Sequence, residues 1–206
     1  MSEVSLVNYY DMLVKDGDDP VHDNKVLKEY MDKWDGPKFI KALKVDKSKS
    51  VLEIGAGTGR MAVQIIQSCG FYTGIDVSPK AVICLNNNLS RHFNKELICD
   101  DFLKHKFMDK FDIIYSTLTF FHIQDKRHAI LKISNLLKAN GRFVLSISKD
   151  NSDEIIYNGR KLVLFPDNMQ NIKNIIVYSG LTINDIAETE FAFIFICDKF
   201  YGPIDT

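Results

Sequence analysis

Cysteine is scarce in this chain and badly spaced for chemistry. Cys69, Cys84, Cys99 and Cys197 form no Cys-x-x-Cys pair. That spacing argues against a zinc knuckle or a disulfide framework. It points instead to reduced thiols in or beside apolar runs. An excess of one charge is also missing. The 26 Lys and Arg against 27 Asp and Glu leave a net charge of −1, so no broad basic field awaits a nucleic-acid backbone. The densest lysine stretch, Lys41 to Lys49, reads as a solvated helix end and loop. Long hydrophobic runs are absent too. The longest purely apolar run, Phe191–Cys197, is far short of the roughly 20 residues that span a bilayer. The N-terminus has no basic start followed by an apolar stretch. These absences predict a cytoplasmic chain with no metal site, no nucleic-acid partner and no membrane partner; monomer and homodimer both stay open.

The 206 residues suit a single domain with a full core. What fills them is an alternating rhythm. Residues 3–15 and 22–44 read as helical, and Val26, Leu27, Tyr30, Met31 and Trp34 share one helical face. Asp35-Gly36-Pro37 interrupts or kinks that pattern. Strand-like runs then fall at 51–54, 71–75, 96–99, 111–116 and 142–148, separated by helical stretches at 60–69, 79–92 and 124–138. Strand, helix, strand in repetition predicts an open α/β fold with right-handed crossovers. Asn158-Gly159 between two strand-like runs predicts a β-hairpin near 154–165. A helix is expected from Pro166-Asp167 to about Ser179, then two strands over 181–189 and 191–199.

The richest stretch is Val51-Leu-Glu-Ile-Gly-Ala-Gly-Thr-Gly59, with Asp76 ending the next apolar run. A strand passes into a glycine turn and then a helix. Such a turn lets the backbone approach a ligand closely. An acid about 20 residues later is placed to accept from a ribose diol. A nucleoside-containing ligand follows. The dinucleotide fingerprint Gly-x-Gly-x-x-Gly is not kept, because Arg60 stands where its last glycine would be. Glu53 would repel a pyrophosphate but suit a cationic ligand. Both features favour S-adenosylmethionine over a nicotinamide dinucleotide.

Val51–Arg60 resembles the first motif of Rossmann-like, class I S-adenosylmethionine-dependent methyltransferases. Gly74–Ser78, Cys99–Phe102, Phe111–Ile123 and Leu136–Leu145 resemble later motifs of that family, in its order and at about its spacing. The resemblance covers roughly residues 45–200. It implies a doubly wound, mostly parallel seven-stranded sheet with an antiparallel last strand. Residues 1–45 would form an N-terminal helical lid on the core 46–206, with the hairpin as an insertion on the acceptor side.

The resemblance also implies site residues. Gly55, Ala56, Gly57, Gly59 and Arg60 would lie along the donor, and Glu53 would face its ammonium. Asp76 would hold the ribose and Val77 would touch adenine. Asp101 would accept the adenine amino group beside Phe102, with Asp100 as the rival acid. Ser116 and Thr117 would end the fourth core strand, where donor and acceptor meet. Tyr9, Tyr10 and Trp34 are candidates for the acceptor pocket. His122 is the candidate catalytic base, needed only where the acceptor is protonated at working pH. The expected acceptor is a small molecule. A non-catalytic donor-binding protein and an RNA- or protein-directed enzyme are the competing readings.

Overall fold

The computed structural model describes residues 2–200. Seven strands form the main sheet: β2 (Ser50–Ile54), β3 (Phe71–Asp76), β4 (Lys95–Cys99), β5 (Phe111–Ser116), β6 (Leu137–Ser148), β9 (Thr182–Glu188) and β10 (Ala192–Asp198). Their spatial order is β4-β3-β2-β5-β6-β10-β9. Pairing is parallel from β4 through β6. The last strand, β10, runs antiparallel to both β6 and β9. The expected sheet is therefore present, with its antiparallel strand inserted between its neighbours. Strand order reverses at β2, between β3 and β5, which places a crevice beyond the carboxyl ends of those strands.

Side chains alternate across the central strands with the period of two that a sheet imposes. Leu52, Ile54, Ile114, Phe143 and Leu145 pack with Ile130 and Ile133 of α6 (Lys126–Leu136) and Ile172 and Ile176 of α7 (Met169–Tyr178). Val51, Ile113, Tyr115 and Val144 point the other way. They meet α3 (Gly36–Leu43), α4 (Ala62–Ile65) and α5 (Pro79–Asn88) through Phe39, Leu43, Ile65 and Leu85. Both faces of the sheet are thus covered by helices. Glu53 falls between Leu52 and Ile54 and so joins the second face, an acid among apolar neighbours.

Several boundaries differ from the sequence reading. The stretch 22–44 is interrupted at Asp35-Gly36-Pro37 as read, but the first helix, α2 (Lys25–Met31), already ends before that break, and α3 begins at Gly36. Asp35 caps α3, and Pro37 lies in its first turn, where proline's missing N–H costs nothing. The helix after the glycine turn keeps only four regular residues, Ala62–Ile65. The helix expected from residue 3 starts at Leu6, after the Ser5 cap, as α1 (Leu6–Lys15). Ahead of it, β1 (Ser2–Glu3) pairs parallel with β8 (Arg160–Val163), and β8 pairs antiparallel with β7 (Glu154–Tyr157). The hairpin turns at Asn158 and Gly159, both at positive φ, as a tight two-residue turn requires. A third apolar cluster joins Tyr9 of α1 to Leu162 and Leu164. The N-terminal helix is thereby fastened to the hairpin.

One buried cation fixes the loops at the crevice. Lys126 Nζ donates to the carbonyls of Phe120 (2.8 Å), Ile123 (3.1 Å) and Phe165 (2.7 Å). It also pairs with Asp167 at 2.8 Å, and the Asp167 side chain is fully buried. Lys126→Met would strand that carboxylate and three carbonyls. The urea midpoint is expected to fall by an amount worth about 3 kcal/mol. Lys126→Met with Asp167→Leu should recover much of the loss, and equal midpoints for wild type and the single variant would show that the pair holds nothing.

Candidate functional site

The glycine turn is built by two kinds of constraint. Gly55 and Ala56 donate their N–H groups to the Ile75 carbonyl at 2.9 and 3.1 Å, which pins the turn to the end of β3. Gly55 has φ +76, and a Cβ there would sit 2.1 Å from Thr119 Oγ1. No side chain fits. Gly57, at φ +53, is different, because a Cβ there would meet nothing within 4 Å. Its missing side chain borders open space, the cradle a ligand needs. Gly57 N–H also donates to Asp76 Oδ2 at 2.8 Å, while Ser78 N–H donates to Oδ1 at 2.9 Å. Burial pushes the Asp76 carboxyl upward, and these backbone donors pull it back. The acid is held rigid at the edge of that space.

Glu53 is almost wholly buried. Tyr72 and Tyr115 both donate to its Oε2, at 2.6 and 2.8 Å. Burial pushes its carboxyl up to about 7, against the phenolic hydrogen bonds and the charge of Arg60. The Arg60 guanidinium does not reach freely into the cavity. It grips Asp35 through two hydrogen bonds, the NH1 contact at 3.1 Å. Asp35 also accepts from Thr117 Oγ1 at 2.7 Å and from Gly36 N–H at 2.6 Å. Arg60 and Thr117 are thus wall residues committed to Asp35, an acid the sequence reading did not single out.

On the adenine side expected from sequence, Val77, Asp100, Asp101 and Phe102 all line the same cavity. Asp100 uses both oxygens, accepting from Asp101 N–H at 2.8 Å and meeting His105 Nδ1 at 2.9 Å. Asp101 accepts from Leu103 N–H with Oδ1, and exposed Lys104 lies 3.4 Å from its Oδ2. Asp101 is therefore the less committed of the two.

At the other end, the Tyr10 hydroxyl lies 2.6 Å from His122 Nε2. Burial, with a smaller push from Lys126, lowers the His122 imidazole to about 4, so it is neutral at pH 7. A phenol donating to Nε2 leaves the ring proton on Nδ1, which is buried without a hydrogen-bond partner. Burial raises the Tyr10 phenol above its ordinary value.

Four expected site residues stand elsewhere. Tyr9 turns into the cluster under the hairpin, away from the cavity its neighbour lines. Trp34 lies past the end of α2 and packs on Phe191, with ring centroids 4.6 Å apart. Ser116 is buried in the sheet and donates to the Ile54 carbonyl at 2.9 Å. Gly59 faces Leu85, where a Cβ would come within 2.6 Å of Cδ1. The bare backbone there lets α5 pack close against the turn.

The remaining residues surround a cavity of about 610 Å³, within the range of small-ligand sites. A family model described as a methyltransferase domain matches residues 52–145. Residues 52–145, a little under half of the chain, are thus similar to that family. An uncharacterized methyltransferase of Anoxybacillus flavithermus is 33% identical over 122 residues, which cover 57% of this chain and 56% of that protein. An rRNA adenine N-6-methyltransferase of Lysinibacillus sphaericus is 30% identical over 70 residues, 34% of this chain and 29% of its own length. A ubiquinone biosynthesis O-methyltransferase of Glaesserella parasuis is 30% identical over 105 residues, 48% of this chain and 44% of its own. The chain thus spans about half or less of the curated relatives it matches. Among solved folds, the N-methyltransferase NodS of Bradyrhizobium japonicum, crystallised with S-adenosyl-L-homocysteine, superposes with TM-score 0.70 at 18% identity over 93% of this chain and 98% of that one. The [4+2]-cyclase SpnF superposes at 0.72 with 13% identity, covering 98% of this chain and 100% of its own. The fold is shared across different reactions, so the chemistry must be argued from the site.

Glu53 generates a pH test. Its folded carboxyl titrates near 7, above its ordinary value of 4.5. The folded state therefore holds an extra proton between those values. The stability this proton contributes is full below about pH 4.5 and is lost as pH rises through about 7. Wild type should lose about 3 kcal/mol more than Glu53→Gln across that window, read from urea midpoints at a series of pH values. Parallel curves for the two proteins would place the proton elsewhere.

Proposed function

We propose that this chain is an S-adenosylmethionine-dependent methyltransferase acting on a small molecule. The observation that carries the reading is the open cradle at Gly57 beside a rigidly held Asp76. A carboxylate fixed by two backbone donors keeps lone pairs for a ribose diol. The space at Gly57 admits the rest of the ligand. The residues fit such a donor: Glu53 and the glycine turn for its amino-acid end, Asp76 for the ribose, and Val77, Asp101 and Phe102 for the base. No pyrophosphate site accompanies them, because Arg60, the cation on the turn, is already spent on Asp35.

The donor supplies an electrophilic methyl group on a sulfonium, which is a good leaving group. The protein's work is then alignment and exclusion of water. α1 covers the cavity, and Tyr10 and His122 close one end of it. With an imidazole near 4, His122 is a weak base for a hydroxyl acceptor. We assign it instead to alignment, as the fixed acceptor of the Tyr10 phenol.

An RNA-directed reading draws on the rRNA relative. The cavity speaks against it, since acids line its walls and its arginine is neutralised. The acceptor expected here is compact.

Titration calorimetry with S-adenosylhomocysteine tests the donor assignment. Wild type should bind, and Asp76→Ala should bind about tenfold to a hundredfold more weakly with an unchanged circular dichroism spectrum. Undiminished affinity in that variant would remove Asp76 from the donor site.

A further inference from the structure

Asp18 lines the same cavity as Tyr10, Leu13 and Phe121, and the donor reading leaves it without a task. The other charged wall residues have protein partners. Arg60 is bound to Asp35, Asp100 meets His105, Asp101 lies near Lys104, and Asp76 is held by backbone N–H groups. The Asp18 carboxylate has neither a hydrogen bond nor an ion pair among the described residues. Its loop is nonetheless fixed. Asp18 N–H donates to the Leu13 carbonyl at 3.0 Å. The adjacent Asp19 accepts from Asn88 Nδ2, which also donates to the Thr58 carbonyl at 2.9 Å. The acid is thus carried on a loop bolted to the glycine turn and to α5.

The walls near it are apolar and aromatic: Leu6, Tyr10, Leu13, Phe121 and Phe165. Tyr10 feels the Asp18 charge, which helps raise its phenol, so the two side chains share one region. Asp18 is exposed on its outer side, yet loss of water against the cavity wall and the charges of Asp23 and Asp19 push its carboxyl upward. A cation beside it would relieve that repulsion. An anion brought into this end would meet like charge with no free arginine or lysine on the wall to offset it. Aromatic faces add attraction for a cation.

We propose that the acceptor is an ammonium-bearing molecule on a flat apolar body, its charge recognised by Asp18. This rests on the cavity holding both donor and acceptor, as set out above. Carboxylate- and phosphate-bearing molecules of the same shape are disfavoured.

The test uses three probes that share a phenyl ring and a two-carbon spacer: 2-phenylethylamine, 2-phenylethanol and 3-phenylpropionate. Each is titrated into the full chain saturated with S-adenosylhomocysteine. The amine should bind about tenfold more tightly than the carboxylate, with the alcohol between them. Asp18→Asn should shrink the gap between amine and carboxylate about fivefold, and Asp18→Glu should keep most of it. Both variants should bind S-adenosylhomocysteine as wild type does, which also shows that they are folded. A carboxylate that binds as well as the amine overturns the proposal. So does a complex that takes neither, or a gap that survives Asp18→Asn. Failure of wild type to bind S-adenosylhomocysteine would instead sink the donor reading beneath it.

Discussion

Asp35 is an acid with no access to water, and two walls of the cavity and the start of α3 are hung from it. Arg60 brings the end of the glycine turn, Thr117 brings the loop after β5, and Gly36 brings the start of α3. A buried carboxylate is tolerated only when it is paired and fully hydrogen-bonded. Every one of these partners is therefore held at hydrogen-bond distance by a large desolvation penalty. The consequence reaches the site directly. Arg60 has no charge left over for a phosphate, and Glu53 is compensated by two phenolic hydrogen bonds and, without a direct bond, by the Arg60 charge. The cavity is acidic because its one wall arginine answers to a residue outside it.

The N-terminal segment is fastened over this cavity at points distant in sequence. Asp11 accepts from Ser78 Oγ at 2.6 Å and from Lys80 N–H at 3.1 Å, tying α1 to the first turn of α5. Asp19 and Asn88 tie the following loop to Thr58 in the glycine turn. Tyr10 meets His122 on the opposite wall, and β1 adds a strand to the hairpin. The N-terminal segment thus touches both the glycine turn and the His122 wall.

What the sequence made legible was local or periodic. The Asn158-Gly159 turn needs positive φ at two adjacent residues, and its composition says so. The alternation of Val51 to Ile54 and of Ile113 to Tyr115 writes the two faces of the sheet into the chain. Glycines 55 and 57 and Asp76 were readable because their spacing is short and their chemistry specific. What stayed hidden depends on partners far along the chain. Lys126 reads as an ordinary polar residue opening a helix, and only Phe165 and Asp167 make it a buried anchor. Arg60 reads as a ligand contact until Asp35 is folded against it. Trp34 does pack on Tyr30 as its spacing implies, but α2 ends at Met31 and both rings lie on Phe191, outside the cavity lining. Tyr9 and Tyr10 are adjacent on α1 and so point in different directions. Sequence could not choose between them, because the hairpin that buries Tyr9 lies some 150 residues away.

This crevice is expected to select a nucleoside sulfonium donor or its thioether product over a pyrophosphate-bearing dinucleotide. Thermal unfolding of the full chain with each ligand at saturation reads this directly, since a ligand that binds only the folded state raises its melting temperature. S-adenosylhomocysteine should raise it by several degrees, and NAD should leave it unchanged. A shift with NAD and none with S-adenosylhomocysteine would contradict the account.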